Sequence, residues 1–239
     1  MNDGPAADGP MNDGPMGDAP VPRALLGPSF GPAAGGRAEW LVVLLHGVGA
    51  DGNDLIGLAP YIGQMIPAAR VIAPDGPEPC DMAPFGRQWF SLQDRDSMVL
   101  YAGAERARVD IDAFLDRALA ALGLPDDRLV LAGFSQGAMT AMHVGLRRPR
   151  SPACIIAFSG ALVGRNRLED EMNCHPPMLL VHGEEDPVVP ATSAREAERT
   201  LLACGIDVMA HVLPGLGHNI DERGLALTAK FLQRLGISR

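Results

Sequence analysis

A serine hydroxyl attacks a carbonyl only when a neighbouring base can take its proton. Ser135 stands where that chemistry is usually built, in Gly133-Phe134-Ser135-Gln136-Gly137. The apolar run Leu129-Val130-Leu131-Ala132 precedes it, and Ala138, Ala141, Met142, Gly145 and Leu146 follow at helical spacing. Strand, sharp turn and helix around G-x-S-x-G form a nucleophile elbow. Glycines on both sides let strand and helix approach closely, and the helix N-terminus turns positive charge toward an oxyanion formed there. The plainer reading is a serine that only caps a helix. The partners available elsewhere in the chain decide between the two.

Six histidines compete for the role of base: His46, His143, His175, His182, His211 and His218. His143 falls within the elbow helix, His211 within a strand, and His175 in a polar connection before two prolines. His46 and His182 each end a strand and read as residues that fix their loops. His218, in Gly217-His218-Asn219 just beyond the last strand, is the expected base. An imidazole in that role needs a carboxylate to orient it and balance its charge. Asp186 is the expected acid, in Glu184-Glu185-Asp186-Pro187 after an apolar run, with Glu184 and Glu185 as rivals. The order serine, acid, histidine is that of an α/β-hydrolase.

An oxyanion needs two backbone N–H donors. Gln136, just after the serine, should supply one. The glycine-rich loop His46-Gly47-Val48-Gly49-Ala50-Asp51-Gly52 should supply the other, from Val48. A phosphate loop is the competing reading of 46–52, but no G-K-[ST] follows. Asp51, Asn53 and Asp54 read as turn and helix-cap residues.

The elements that must carry these groups follow from the pattern. Leu41 to Leu45, Val71-Ile72-Ala73, 129–132, Cys154 to Phe158, Met178 to Val181 and Val208 to Leu213 are short apolar runs, as in strands buried on both faces. Ala24-Leu25-Leu26 is expected to open the sheet. Helical patterns alternate with the strands: Ile111 to Leu122, the elbow helix, a helix headed by a Ser193/Glu196 capping box, and a last one carrying Leu227, Phe231, Leu232 and Leu235. Such alternation predicts an α/β, doubly wound, mostly parallel sheet with helices on both faces, and a site at the carboxyl ends of the strands. The connection 159–177 is too short for a large lid domain. The segment 74–96, with Pro74, Pro77, Pro79 and Pro84, is a long irregular loop of the kind that often carries function.

Residues 1–22 differ in kind. Met1-Asn2-Asp3-Gly4-Pro5 returns as Met11-Asn12-Asp13-Gly14-Pro15. A disordered acidic tail is expected there, with one domain over 23–239. The chain of 239 residues is 47% hydrophobic with a net charge of −9, enough for one core. It has no basic patch for nucleic acid and no apolar run of transmembrane length. Cys80, Cys154, Cys174 and Cys204 are scattered, as for reduced thiols in the cytoplasm. No H-x-x-x-H spacing supports a metal site.

Assembled, these segments resemble the phospholipase/carboxylesterase family of small serine hydrolases, which includes the acyl-protein thioesterases. The resemblance rests on 45–55, Gln88-Trp89-Phe90, 133–138, 182–190 and 217–220, and spans about residues 24–236. It implies Ser135, Asp186 and His218 as a triad, with Val48 and Gln136 at the oxyanion hole. It also implies hydrolysis of esters, thioesters or lysophospholipids without a cofactor. Trp89, Phe90, Phe85 and Met82 are expected either to line an acyl groove or to pack the long loop onto the body. The partner expected is a small acyl ester or thioester, met by a monomer or homodimer. A catalytically silent binding protein of the same fold and a serine peptidase are the alternatives.

Overall fold

The computed structural model describes residues 21–237. The expected acidic tail therefore falls, but for its last two residues, outside the described residues. Nine strands appear in chain order: β1 (Ser29–Phe30), β2 (Trp40–Leu45), β3 (Ala69–Ile72), β4 (Glu78–Pro79), β5 (Arg87–Gln88), β6 (Leu129–Phe134), β7 (Cys154–Phe158), β8 (Met178–Gly183) and β9 (Val208–Leu213). The α-helices are α1 (Gly52–Leu55), α2 (Ala59–Met65), α3 (Ser97–Leu122), α4 (Gln136–Arg147), α5 (Leu168–Glu171), α6 (Thr192–Ala203) and α7 (Glu222–Arg234).

Seven strands form one sheet in the order β1-β3-β2-β6-β7-β8-β9, parallel except for β1, while β4 and β5 make a separate hairpin. Alternate side chains leave a strand on opposite faces. Leu41, Val43, Leu129, Leu131 and Ile155 therefore pack with residues of α3, α4 and α6 on one side. Val42, Leu44, Val130, Ile156 and Leu179 pack with residues of α2 and α7 on the other. Burial on both faces is why these strands are nearly continuous apolar runs. In β9, at the sheet edge, every residue is only half-buried.

Adjacent strand ends are joined at the carboxyl edge. The Ser135 N–H donates to the Phe158 carbonyl at 2.9 Å, and the Ser159 N–H donates to the Val181 carbonyl at 2.9 Å. Both serines hold positive φ, 55° and 50°.

Two expectations need correction. The opening strand is not Ala24-Leu25-Leu26 but Ser29–Phe30, paired antiparallel with β3. Leu25 is buried while Leu26 is 78% exposed, and proline at 28 removes a donor that a regular ladder would use. The Ser193/Glu196 capping box does not form. The N-cap position falls two residues earlier, at Ala191, and no side chain caps the helix. The Ser193 N–H is taken by the Pro190 carbonyl at 2.8 Å, and Glu196 pairs instead with Arg165 at 2.7 Å.

Candidate active site

Ser135 is the turn between β6 and α4. Its φ of 55° and ψ of −118° lie outside the regions open to ordinary residues, a strain of roughly 1–3 kcal/mol. Its side chain makes no capping bond, so the plain helix-cap reading does not describe it. The turn closes because the flanking residues have no Cβ. A Cβ on Gly133 would overlap the Gly137 backbone, and one on Gly137 would overlap the Leu45 carbonyl at the end of β2.

Two loops away, the His218 Nδ1–H donates to Asp186 Oδ2 at 2.6 Å. The other carboxylate oxygen accepts the N–H groups of Val188 (2.8 Å) and Val189 (2.9 Å). Burial pushes the Asp186 carboxyl up, but the bonds from His218, Val189 and Val188 outweigh it and hold the pKa below the usual value. Glu184 and Glu185 are exposed, and among the described residues neither side chain bonds to His218. His182 donates from Nε2 to the Val189 carbonyl at 2.8 Å and lies 3.3 Å from Asp186. It fixes the acid loop, as expected of it.

With Nδ1 committed to the carboxylate, His218 leaves Nε2 free. The imidazole packs on the Phe134 ring at a centroid distance of 4.8 Å, next to the serine. Among the described residues no hydrogen bond joins Ser135 to His218.

The glycine-rich loop 46–52 approaches Ser135 from the end of β2. A Cβ built on Gly47 would stand 3.4 Å from the Ser135 Cβ, so the loop passes directly beside Ser135. Among the described residues, the N–H groups of Val48 and Gln136 donate to no protein acceptor. The loop is held by the β4–β5 hairpin. Gly49 N–H donates to the Arg87 carbonyl at 2.9 Å and Arg87 N–H to the Ala50 carbonyl at 2.8 Å. Gly86, at φ 79°, sits so close to the Gly49 carbonyl that any side chain there would overlap it.

Sequence reasoning missed the Gln136 side chain. It is fully buried, accepting the Trp89 N–H at Oε1 (3.1 Å) and donating from Nε2 to the Phe90 carbonyl (2.6 Å). The Trp89 indole N–H donates in turn to the His46 carbonyl at 2.8 Å. The His46 Nδ1–H donates to the Gly47 carbonyl at 2.7 Å, and Nε2 accepts from the Gly76 N–H at 2.8 Å. Burial pushes the His46 pKa down, which keeps the neutral ring this pattern needs. One circuit thus ties the residue after the nucleophile to the loop carrying Val48. Spacing could not reveal it, since a glutamine at that position reads only as a backbone donor.

The same circuit corrects the expected groove. Trp89 is 1% exposed and Phe90 is 3% exposed, so both pack the long loop onto the body and line no open surface. Phe85 and Met82 lie on the exposed part of that loop.

A mostly parallel sheet carrying a strained serine at the end of β6, an acid after β8 and a histidine after β9 is the α/β-hydrolase arrangement. The family model for phospholipase/carboxylesterase matches residues 33–235. Escherichia coli (strain K12) esterase YpfH is 30% identical over 201 residues, covering 82% of this chain and 83% of its own. Acyl-protein thioesterase 1 of Gibberella zeae is 26% identical over 212 residues, covering 81% of this chain and 89% of its own. Among solved structures, that of esterase PE8 superposes with a TM-score of 0.85 at 42% identity, covering 89% of this chain and all of that one (100%). The chain belongs to the phospholipase/carboxylesterase family, a set of esterase- and thioesterase-type α/β-hydrolases.

Proposed function

We propose that the chain is a serine hydrolase that cleaves carboxylic esters, thioesters among them, through a covalent acyl-enzyme. The observation that carries this reading is the 2.6 Å Asp186–His218 bond, seated against Phe134 beside a serine at a strained turn. His218 Nε2 takes the proton from Ser135 Oγ as the oxygen attacks the acyl carbon. The carbonyl oxygen becomes an oxyanion, which the free N–H groups of Val48 and Gln136 receive. The tetrahedral adduct collapses, the bond to the alcohol or thiol breaks, and the imidazolium returns its proton to that leaving group. Water then repeats the sequence on the acyl-Ser135 ester. Asp186 stays ionised throughout and stabilises the imidazolium.

Fluorophosphonate labelling tests the reading. A wild-type protein labelled at Ser135, with label and turnover of nitrophenyl esters both lost in Ser135→Ala, supports it. A wild type that neither labels nor turns over any ester favours the catalytically silent binding protein. Four cysteines that are all free fit a reducing compartment, and we place the enzyme in the cytoplasm. No helix among the described residues is long and apolar enough to cross a membrane.

A further inference from the structure

Asp110 lies in α3 with no exposed surface, and a carboxylate so placed is costly unless it is paired. Its partner comes from the far end of the chain. The Arg23 backbone N–H donates to Asp110 Oδ1 at 2.6 Å, and Arg23 Nε donates to Oδ2 at 2.8 Å. Arg106, one turn back on α3, stands 3.7 Å from Oδ1 and donates to the Val21 carbonyl at 3.3 Å. Arg23 stands ahead of residue 33, where the family match begins, and none of the steps above uses it.

The same guanidinium reaches a second carboxylate. Arg23 Nη1 donates to Glu78 Oε1 at 2.9 Å. A planar guanidinium offers several donors at fixed angles, which suits it to bridge two acids. Glu78 begins β4 and pairs with Gln88 of β5. Its neighbour in β5, Arg87, holds the backbone of Gly49 and Ala50. Arg23 is therefore linked through one hairpin to the loop that carries Val48. The residues after Arg23 run the same way. Leu25 is buried in the core that contains Trp89 and Phe90. The Asp75 N–H donates to the Leu26 carbonyl at 2.8 Å, and the Ala73 N–H to the Pro28 carbonyl at 3.0 Å. Asp75 Oδ1 in turn accepts the Gly52 N–H at 2.8 Å. Segment 23–28 thus touches both supports of loop 46–52, the hairpin behind Gly49 and Ala50 and the carboxylate behind Gly52.

We infer that Arg23 is a positioning residue for the reaction: anchored on buried Asp110, it steadies the β4–β5 hairpin through Glu78 and so fixes the loop from which Val48 donates. The inference rests on the esterase reading above. Displacements well under 1 Å at such a donor are enough to slow the chemical step severalfold.

The test compares wild type with Glu78→Ala and with the double variant Arg23→Gln/Asp110→Asn. The first cuts the arm to the hairpin and leaves Asp110 paired. The second removes the buried charge together with its partner, so no carboxylate is left unpaired in the core. Turnover of nitrophenyl acetate is counted per Ser135 labelled by a fluorophosphonate, so that unfolded chains do not enter. Both variants should lower kcat about tenfold with KM within about twofold of wild type. The rate of labelling should fall by a like factor, since the phosphonyl oxygen would meet the same N–H groups. A wild-type kcat in either variant, or a change carried by KM alone, would overturn the positioning role whatever the melting temperature does, and would leave the esterase reading intact. A wild type that neither labels nor turns over any ester would overturn both.

Discussion

The two flanks of the Ser135 turn are built differently. On the β2–β6 side, backbone meets backbone: Gly137 lies on the Leu45 carbonyl and Gly86 on the Gly49 carbonyl, with the Gln136–Trp89–His46 circuit closing the gap. On the β7–α6 side, half-buried Leu100, Met139 and Leu162 leave a cavity of about 430 Å³, and exposed ions stand at its edge. In the proposed mechanism the first flank carries the oxyanion donors, where small displacements are costly. The second is looser and more open.

The contrast can be broken most severely between the flanks, at the acid. Asp186→Asn should lower turnover roughly 10⁴-fold with the fold retained, as expected when the imidazole loses its orienting carboxylate. Steady-state kinetics alongside circular dichroism check this, and near-normal turnover would remove Asp186 from the mechanism. On the close-packed flank, Gly137→Ala forces a methyl onto the Leu45 carbonyl. It should destabilise by about 3 kcal/mol or more, read from the urea midpoint. An unchanged midpoint would show that the close approach of α4 to β2 is not needed.

A milder change sharpens the comparison. Gln136→Ala keeps the backbone N–H and removes only the side-chain clamp. It should lower kcat by about ten- to hundredfold with KM little changed, since the two oxyanion donors lose their common tie. A change confined to KM would argue that the side chain shapes binding alone.

Acid stability probes the helix pair behind the elbow. His143 on α4 donates from Nε2 to Glu105 on α3 at 2.7 Å, and Arg108 also pairs with Glu105. The bond from His143, with help from Arg108 and against burial, takes the Glu105 pKa down to about 2. Burial pushes His143 down too, so the neutral ring donates. An unfolded glutamate titrates near 4.3, so the unfolded chain binds the proton first. The stability from this pair is complete above roughly pH 4.3 and is lost as the pH falls toward 2. Urea midpoints measured from pH 5 to 3 should fall, and Glu105→Gln should flatten the slope. The smallest effect belongs to the open flank. Arg165→Ala or Glu196→Ala removes an exposed pair and should change stability by no more than about 1 kcal/mol. A larger loss would mean that this flank is as stiff as the other.

Much of this arrangement is legible in the chain. Strands over 154–158 and 208–213 are marked by apolar runs whose limits match the structure, and Asp186 and His218, singled out by their loops, are bonded to each other. What escapes is whatever a single residue type cannot announce. The first half of α3 packs through Ala104 and Ala107, too small to register as an apolar stripe. Asp96 caps that helix from the end of a loop full of other carboxylates. Trp89 and Phe90 have the same types whether they line a groove or fill a core, and only the bonds to Gln136 and His46 decide it. The cavity is a gap between three elements, with no residue of its own to signal it.

The strand ends act as a staircase. Ser135 hangs from the last carbonyl of β7, and Ser159, one step on, hangs from a carbonyl of β8, the strand that leads to Asp186. Ser135 and the strand that leads to Asp186 therefore hang from one continuous scaffold, and a tilt of β8 would be handed across to the serine. Ser135 takes its position from the sheet, whereas Asp186 and His218 take theirs from the loops that follow β8 and β9.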